Sequence, residues 1–330
     1  MTTNFSSKTI ISIFSVIILS LYFLGVYWSF EPAEFDIRTE VTKDAKAEGV
    51  SPVVGYTTTT ALIRVTETLL NKSGGYLSND ALPPSVFLDN IPAWELGALE
   101  MTRDMALVMR QEFSRSQSQS LENKHLKIAQ PQFNIDHTSW AMPSAESEYA
   151  KAVNELYAYR KALTDVNSQS AQFYARSDNL RDWIQEVTKR LGSYSQRLSA
   201  SVGREQLNTD LAGDSVAQQS TSAQASMVLK TSWWKIDDEF YESRGACWAL
   251  LHFLRAIEID FNDVLEKKNA KVSVQQIIRE LEASQESIWS PMILNGDGFG
   301  LLANHSLVMA NYISRANAAL IDLNDLLSQG

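Results

Sequence analysis

The chain has 330 residues, 45% of them hydrophobic and 10% aromatic, and carries a formal net charge of −10. Such a length and composition supply a sizeable core and exclude a generically disordered chain. The excess of acid, with lysine and arginine scattered, excludes a phosphate-backbone footprint and a surface drawn to anionic headgroups, so nucleic acid is not an expected partner.

Residues 9–30 contain no charge and are dominated by Ile, Val, Leu and Phe. At 1.5 Å per residue this run matches the ~30 Å hydrocarbon core, which makes the lipid bilayer the first expected partner. Tyr27 and Trp28 at its far end carry the amphipathic rings favoured at the headgroup level. Lys8 precedes the run while Glu31, Glu34 and Asp36 follow it, which by the positive-inside bias leaves the N-terminus cytoplasmic and the remainder outside. The run is longer than a usual signal-peptide core and residues 27–30 offer no small-residue cleavage site, so an uncleaved anchor is favoured. Residues 1–30 are read as cytoplasmic stub and anchor of a single-pass protein.

Residues 31–56, polar and punctuated by Pro32, Gly49, Pro52 and Gly55, read as a spacer between bilayer and body. An N-terminal helical half follows over 57–198. It opens with a short helix over 58–70, ended by Gly74 and Gly75, and an ordered loop to Pro92 that packs Tyr76, Leu77 and Phe87 on the body. Trp94, Ala98, Met101, Met105, Val108 and Phe113 trace one helical face over 93–116, with Glu100 and Arg103 free to pair on its outer side. Residues 125–143, with Pro131 and Pro143, read as irregular. Tyr149, Val153, Leu156 and Leu163 mark a second face, and Leu180, Trp183, Val187, Leu191, Tyr194 and Leu198 a third.

Residues 199–226 are rich in Ser, Gln, Ala and Thr without an aromatic residue, and read as a flexible polar loop. A C-terminal helical half spans 227–330. Ile236, Phe240, Cys247, Leu250, Leu254, Ile257, Phe261 and Leu265 predict the longest helix in the chain. Cys247, the single cysteine, permits no intramolecular disulfide or cysteine metal cluster and reads as a small buried hydrophobe. Ser273 and Gln276 have capping-box spacing before the next helix. A glycine-rich turn at 295–300 leads into a last amphipathic helix, with His305 on its apolar side. The fold class that follows is all-α: a transmembrane helix and a bundle-like extracytoplasmic body.

The densest chemistry lies at Trp233, Trp234, Asp237, Asp238, Glu239, Glu242 and Arg244. Asp238 and Glu242, four apart on one helical face, suit a hard cation or divided acid and base roles. The competing structural reading, which is favoured, has the acids complementing a helix dipole and the two tryptophans serving as core or staple. As an exposed pair, Trp233 and Trp234 would instead form a binding platform. The 295–300 turn fails as a calcium loop because Phe299 and Ser306 stand where oxygen ligands are needed, and the four histidines lack the spacing of a helical zinc motif. No nucleotide, dinucleotide or serine-hydrolase motif appears, so no cofactor, metal or catalytic residue is assigned.

With Gly-Gly-Tyr-Leu-Ser-Asn-Asp at 74–80, Pro-Pro-Ser-Val-Phe-Leu-Asp-Asn-Ile-Pro-Ala-Trp-Glu at 83–95 and Asp-Asp-Glu-Phe-Tyr-Glu-Ser-Arg-Gly at 237–245, the chain resembles an uncharacterised family of membrane-anchored proteobacterial proteins, domain of unknown function 2333. The resemblance covers nearly the whole chain. It implies a Gram-negative inner membrane with a periplasmic body and transfers no catalytic residue. The reading that results is a non-catalytic envelope module with a protein or cell-wall partner. The alternative is a hydrolase or lyase acting on a glycan or peptide through Asp238 and Glu242.

Overall fold

The computed structural model describes residues 7–116, 121–165, 170–207, 226–290, 292–296 and 301–329, with backbone alone for 204–207 and 226–229. The apolar run forms helix α1, Ser7–Trp28, whose 22 residues would span about 33 Å. It is long and apolar enough to cross a membrane, and the only such helix among the described residues. Almost all of α1 is exposed, which in water would be an unfavourable hydrophobic surface.

The stretch 31–56 is not a free spacer. Asp36 accepts hydrogen bonds from the Arg38 and Thr39 amides and starts helix α2, Ile37–Glu48, which Gly49 ends in the left-handed region at φ 68°. Ile37, Val41 and Ala45 face the core, and Arg160 binds Asp44 at 2.6 Å beside Glu48. Chain between anchor and α2 is equally engaged: Glu31 meets Arg244 at 2.7 Å, Glu34 meets Arg255 at 2.9 Å, and Phe35 stacks on His252 at 3.8 Å between centroids.

The body is built on helices α3 (Tyr56–Asn71), α4 (Asn90–Val108), α5 (Lys124–Phe133), α6 (Ala145–Thr164), α7 (Ser177–Ser199), α8 (Ile236–Asp260), α9 (Asn262–Lys267), α10 (Lys271–Ser284) and α11 (His305–Ser328). The fold is all-α; its one sheet among the described residues is a ribbon pairing β1, Arg204–Leu207, antiparallel with β2, Ser226–Leu229. This ribbon and a 3-10 turn at Ala200–Val202 occupy the near ends of the expected flexible loop, whose residues 208–225 lie outside the described set, as do 297–300 of the glycine turn. Two further expectations are corrected. Residues 125–143 are helical up to Phe133, with Pro131 inside α5; its missing N–H forgoes one intrahelical bond, to the Lys127 carbonyl, and the helix ends two residues later. Helix α10 starts at Lys271, ahead of Ser273, so the capping-box spacing does not set its start.

Helices α4 and α8 lie side by side in the same direction, with Gly97 against Glu242 and Ala246 near one end and Phe113, just past α4, against Phe261 at the other. Helix α7 runs back along α4, from the Asn179 amide on the Glu112 carbonyl to Arg190 on Asp104 and Glu100. Helix α11 opposes α7, from Ser177 on Leu327 to Ser195 on Ser314. Helix α3 opposes α8; Asp260 at the end of α8 accepts the Thr58 amide and hydroxyl, both at 2.7 Å, and so caps α3 from a neighbouring helix. The two helical halves share one hydrophobic core. At the end where α1 joins the body, the anchor end, stand the first turns of α4, α6, α8 and α11 and the last turns of α3, α7 and α10.

His252 is buried and neutral: its Nδ1 donates to the Trp248 carbonyl at 2.7 Å, so Nε2 is free to accept the Phe35 amide at 3.1 Å. Burial, with the Arg255 charge adding, drives its pKa down from 6.5 to about 4. A depressed histidine pKa means the unfolded chain takes the proton first, so stability is full above pH 6.5 and is lost as pH falls toward 4. The loss should reach about 3 kcal/mol and appear as a falling melting temperature over that window, which His252→Gln should flatten.

Candidate functional site

Trp233 and Trp234 form a 3-10 turn with Lys235 that leads into α8. Neither belongs to the core: they are 61% and 83% exposed, against the staple role expected from sequence. Asp237, Asp238 and Glu239 occupy the first turn of α8, where negative charge complements the helix dipole. Burial and the neighbouring charges of Asp237 and Asp89 push the Asp238 carboxyl above its ordinary range. Burial does the same to Glu239, opposed by Arg197.

Asp238 and Glu242 are engaged differently, although the Glu242 charge still acts on Asp238. The buried Glu242 is held by both terminal nitrogens of Arg197, at 3.0 and 2.6 Å, and the same guanidinium reaches Glu239 at 2.9 Å and lies 4.9 Å from the Tyr194 ring centroid. A carboxylate engaged in this bidentate way ties α7 to α8 and is a poor general base. Arg244 is turned to a different task. Its Nε donates to Glu31 at 2.7 and 2.8 Å, while its terminal nitrogens donate to the carbonyls of Ser284, Gln285 and Glu286 that end α10.

Several polar contacts near this end were not foreseen from sequence. Glu95 is fully buried; it meets Lys72 at 2.6 Å and accepts the Leu77 and Ser78 amides and the Ser78 hydroxyl, which clamps the loop after α3 onto α4. Its signal was present, because Glu95 stands four residues from Ile91 and three from Ala98 on a buried face. Glu100 and Arg103 do not pair with each other: Glu100 meets Arg190 and Tyr194, and Arg103 donates to the Phe133 and Ile135 carbonyls. His305 opens α11 and its Nδ1 accepts the Leu294 amide at 2.9 Å. Among the described residues no three His, Cys, Asp or Glu side chains gather as a metal site.

The arrangement can therefore join helices and present an aromatic surface. No curated protein and no solved structure matches the chain. A family model described as an uncharacterized protein conserved in bacteria, DUF2333, matches residues 2–330, and on that coverage the chain belongs to this family.

Proposed function

We propose that the protein is a single-pass, non-catalytic module of the bacterial cell envelope, anchored in the inner membrane by α1 with its helical body in the periplasm, where it engages a protein or cell-wall partner. The observation that carries this reading is the use made of its charged groups. Glu242, Arg197, Arg244 and Glu31 are all committed to fixing helices and anchor to one another. The orientation rests on Lys8 ahead of the span and on the acids that follow it.

Fusion of alkaline phosphatase or green fluorescent protein after residue 330 tests the topology: phosphatase should be active and the fluorescent protein dark. The reverse pattern would place the body in the cytoplasm and end the proposal. For the non-catalytic role, Asp238→Ala should leave the protein folded and any envelope phenotype unchanged. An envelope defect in a folded Asp238→Ala protein would turn the reading to a hydrolase or lyase, since of the two acids it is Glu242 that Arg197 holds.

A further inference from the structure

Four of the eight tryptophans in the chain are exposed: Trp140 at 74%, Trp289 at 95%, and the pair at 233 and 234. All four stand at the anchor end. Trp234 leads into α8, whose Asp238 feels the charge of Asp89 at the start of α4. Trp289 follows Glu286, whose carbonyl accepts from the Arg244 that also holds Glu31. Trp140 lies in the loop before α6, tied to the loop before α4 by the Asn79 amide on the Ser139 carbonyl at 2.8 Å and the Tyr76 hydroxyl on the His137 carbonyl. At the opposite end the exposed large apolar side chains are aliphatic, among them Val53, Val54, Leu121 and Val272.

A second observation lies beside the anchor. The only buried residue of α1 is Gly25, and a Cβ there would meet Pro84 at 3.4 Å and Leu88 at 3.7 Å. The loop carrying these residues exposes Leu82, Val86 and Phe87. With Pro84 and Leu88, Phe87 lines an apolar groove of about 400 Å³ whose other wall includes Ile18, Tyr22 and Gly25 of α1. From Ile18 to Trp28 the helix rises about 15 Å, half the thickness of a hydrocarbon core. A loop lying against this length of a spanning helix is at membrane depth.

From these two observations we infer that the anchor end of the body is seated in the bilayer that α1 crosses. The exposed tryptophans lie at the headgroup level and the Phe87 loop is inserted beside the anchor. Indole rings favour that level because their apolar body and N–H find both environments there. The same end carries Asp89, Asp237, Asp238 and Glu239, so the contact is made by aromatic partitioning into zwitterionic lipid and not by attraction to anionic headgroups. The inference rests on the anchor reading above, and its test separates the two.

Full-length protein in a Cys247→Ala background would be reconstituted into phosphatidylcholine nanodiscs, with an environment-sensitive fluorophore on one introduced cysteine: Phe87→Cys, Trp234→Cys, Phe14→Cys within the anchor, or Val272→Cys at the far end. Phe87 and Trp234 probes should lose intensity to spin-labelled lipid and be shielded from aqueous iodide, as the Phe14 probe is, while the Val272 probe shows the opposite. If both test probes behave like Val272 while Phe14 is quenched by lipid, the seating is overturned and the anchor stands; the tryptophans are then left for a protein partner. If the Phe14 probe is not quenched by lipid, anchor and seating fall together. Quenching that requires added phosphatidylglycerol and disappears with salt would also overturn the inference, because it would mark an electrostatic contact.

Discussion

Replacing Gly97 or Gly245 by alanine is expected to cost about 3 kcal/mol each, at the upper end for overpacking. A Cβ on Gly97 would lie 1.8 Å from the Glu242 carbonyl oxygen, and one on Gly245 1.9 Å from the Trp94 carbonyl oxygen. Both obstacles are backbone, so relief requires α4 and α8 to move apart and loosens Trp94, Trp248 and the core between them. Intrinsic helix propensity opposes this by only ~1 kcal/mol in favour of alanine. Gly192 on α7 is the internal control: its nearest neighbour would be the Asn317 side chain at 3.8 Å, an ordinary contact, so Gly192→Ala should be neutral or mildly stabilising. Because one separation of the helices relieves both clashes, the Gly97/Gly245 double variant should cost less than the sum of the two. Denaturant unfolding of the full chain in nanodiscs measures all four.

The second large effect is expected at Lys72. Lys72→Met would leave Glu95 buried with its charge uncompensated, at a cost of about 3–5 kcal/mol. Glu95→Gln in the same chain removes the charge and should recover much of that loss, since a buried pair can be replaced by neutral groups at small net cost. Hydrogen exchange supplies a local readout: the Leu77 and Ser78 amides, which donate to Glu95, should lose protection in Lys72→Met before the amides of α4 do. Equal protection in wild type and variant would show that the loop is held by its packing alone.

The helix faces that sequence periodicity marked are those buried by several large side chains. Leu180, Trp183, Val187, Leu191 and Tyr194 on α7, and Ile236 to Ile257 on α8, are core residues as the spacing required. Helix α2 escaped because its buried face is thin and partly polar: Ile37, Val41 and Ala45 share it with Asp44, and only the distant Arg160 makes sense of an acid there. Its caps, Asp36 and Gly49, were nevertheless readable. The acidic cluster was read correctly as a first-turn motif of α8, but no local pattern reveals that Glu242 belongs to Arg197 or Arg244 to Glu31, because those partners come from other elements. Residue type favours a core or staple place for Trp233 and Trp234. Their exposure depends on what the neighbouring surface faces, which a single sequence does not encode.

The engaged segment between anchor and body bears on mechanics. Glu31, Glu34 and Phe35 are held by α8 within a few residues of Trp28, so no flexible joint separates the two parts. Under the proposed topology the protein is a post and not a tethered float. Helix α8, at 25 residues, sets a height of about 37 Å, and a partner must come within that distance of the bilayer to be met. Tilting or turning of α1 within the membrane would move the far end of the body as a lever arm, whereas a body on a slack tether would lose such motion in the linker.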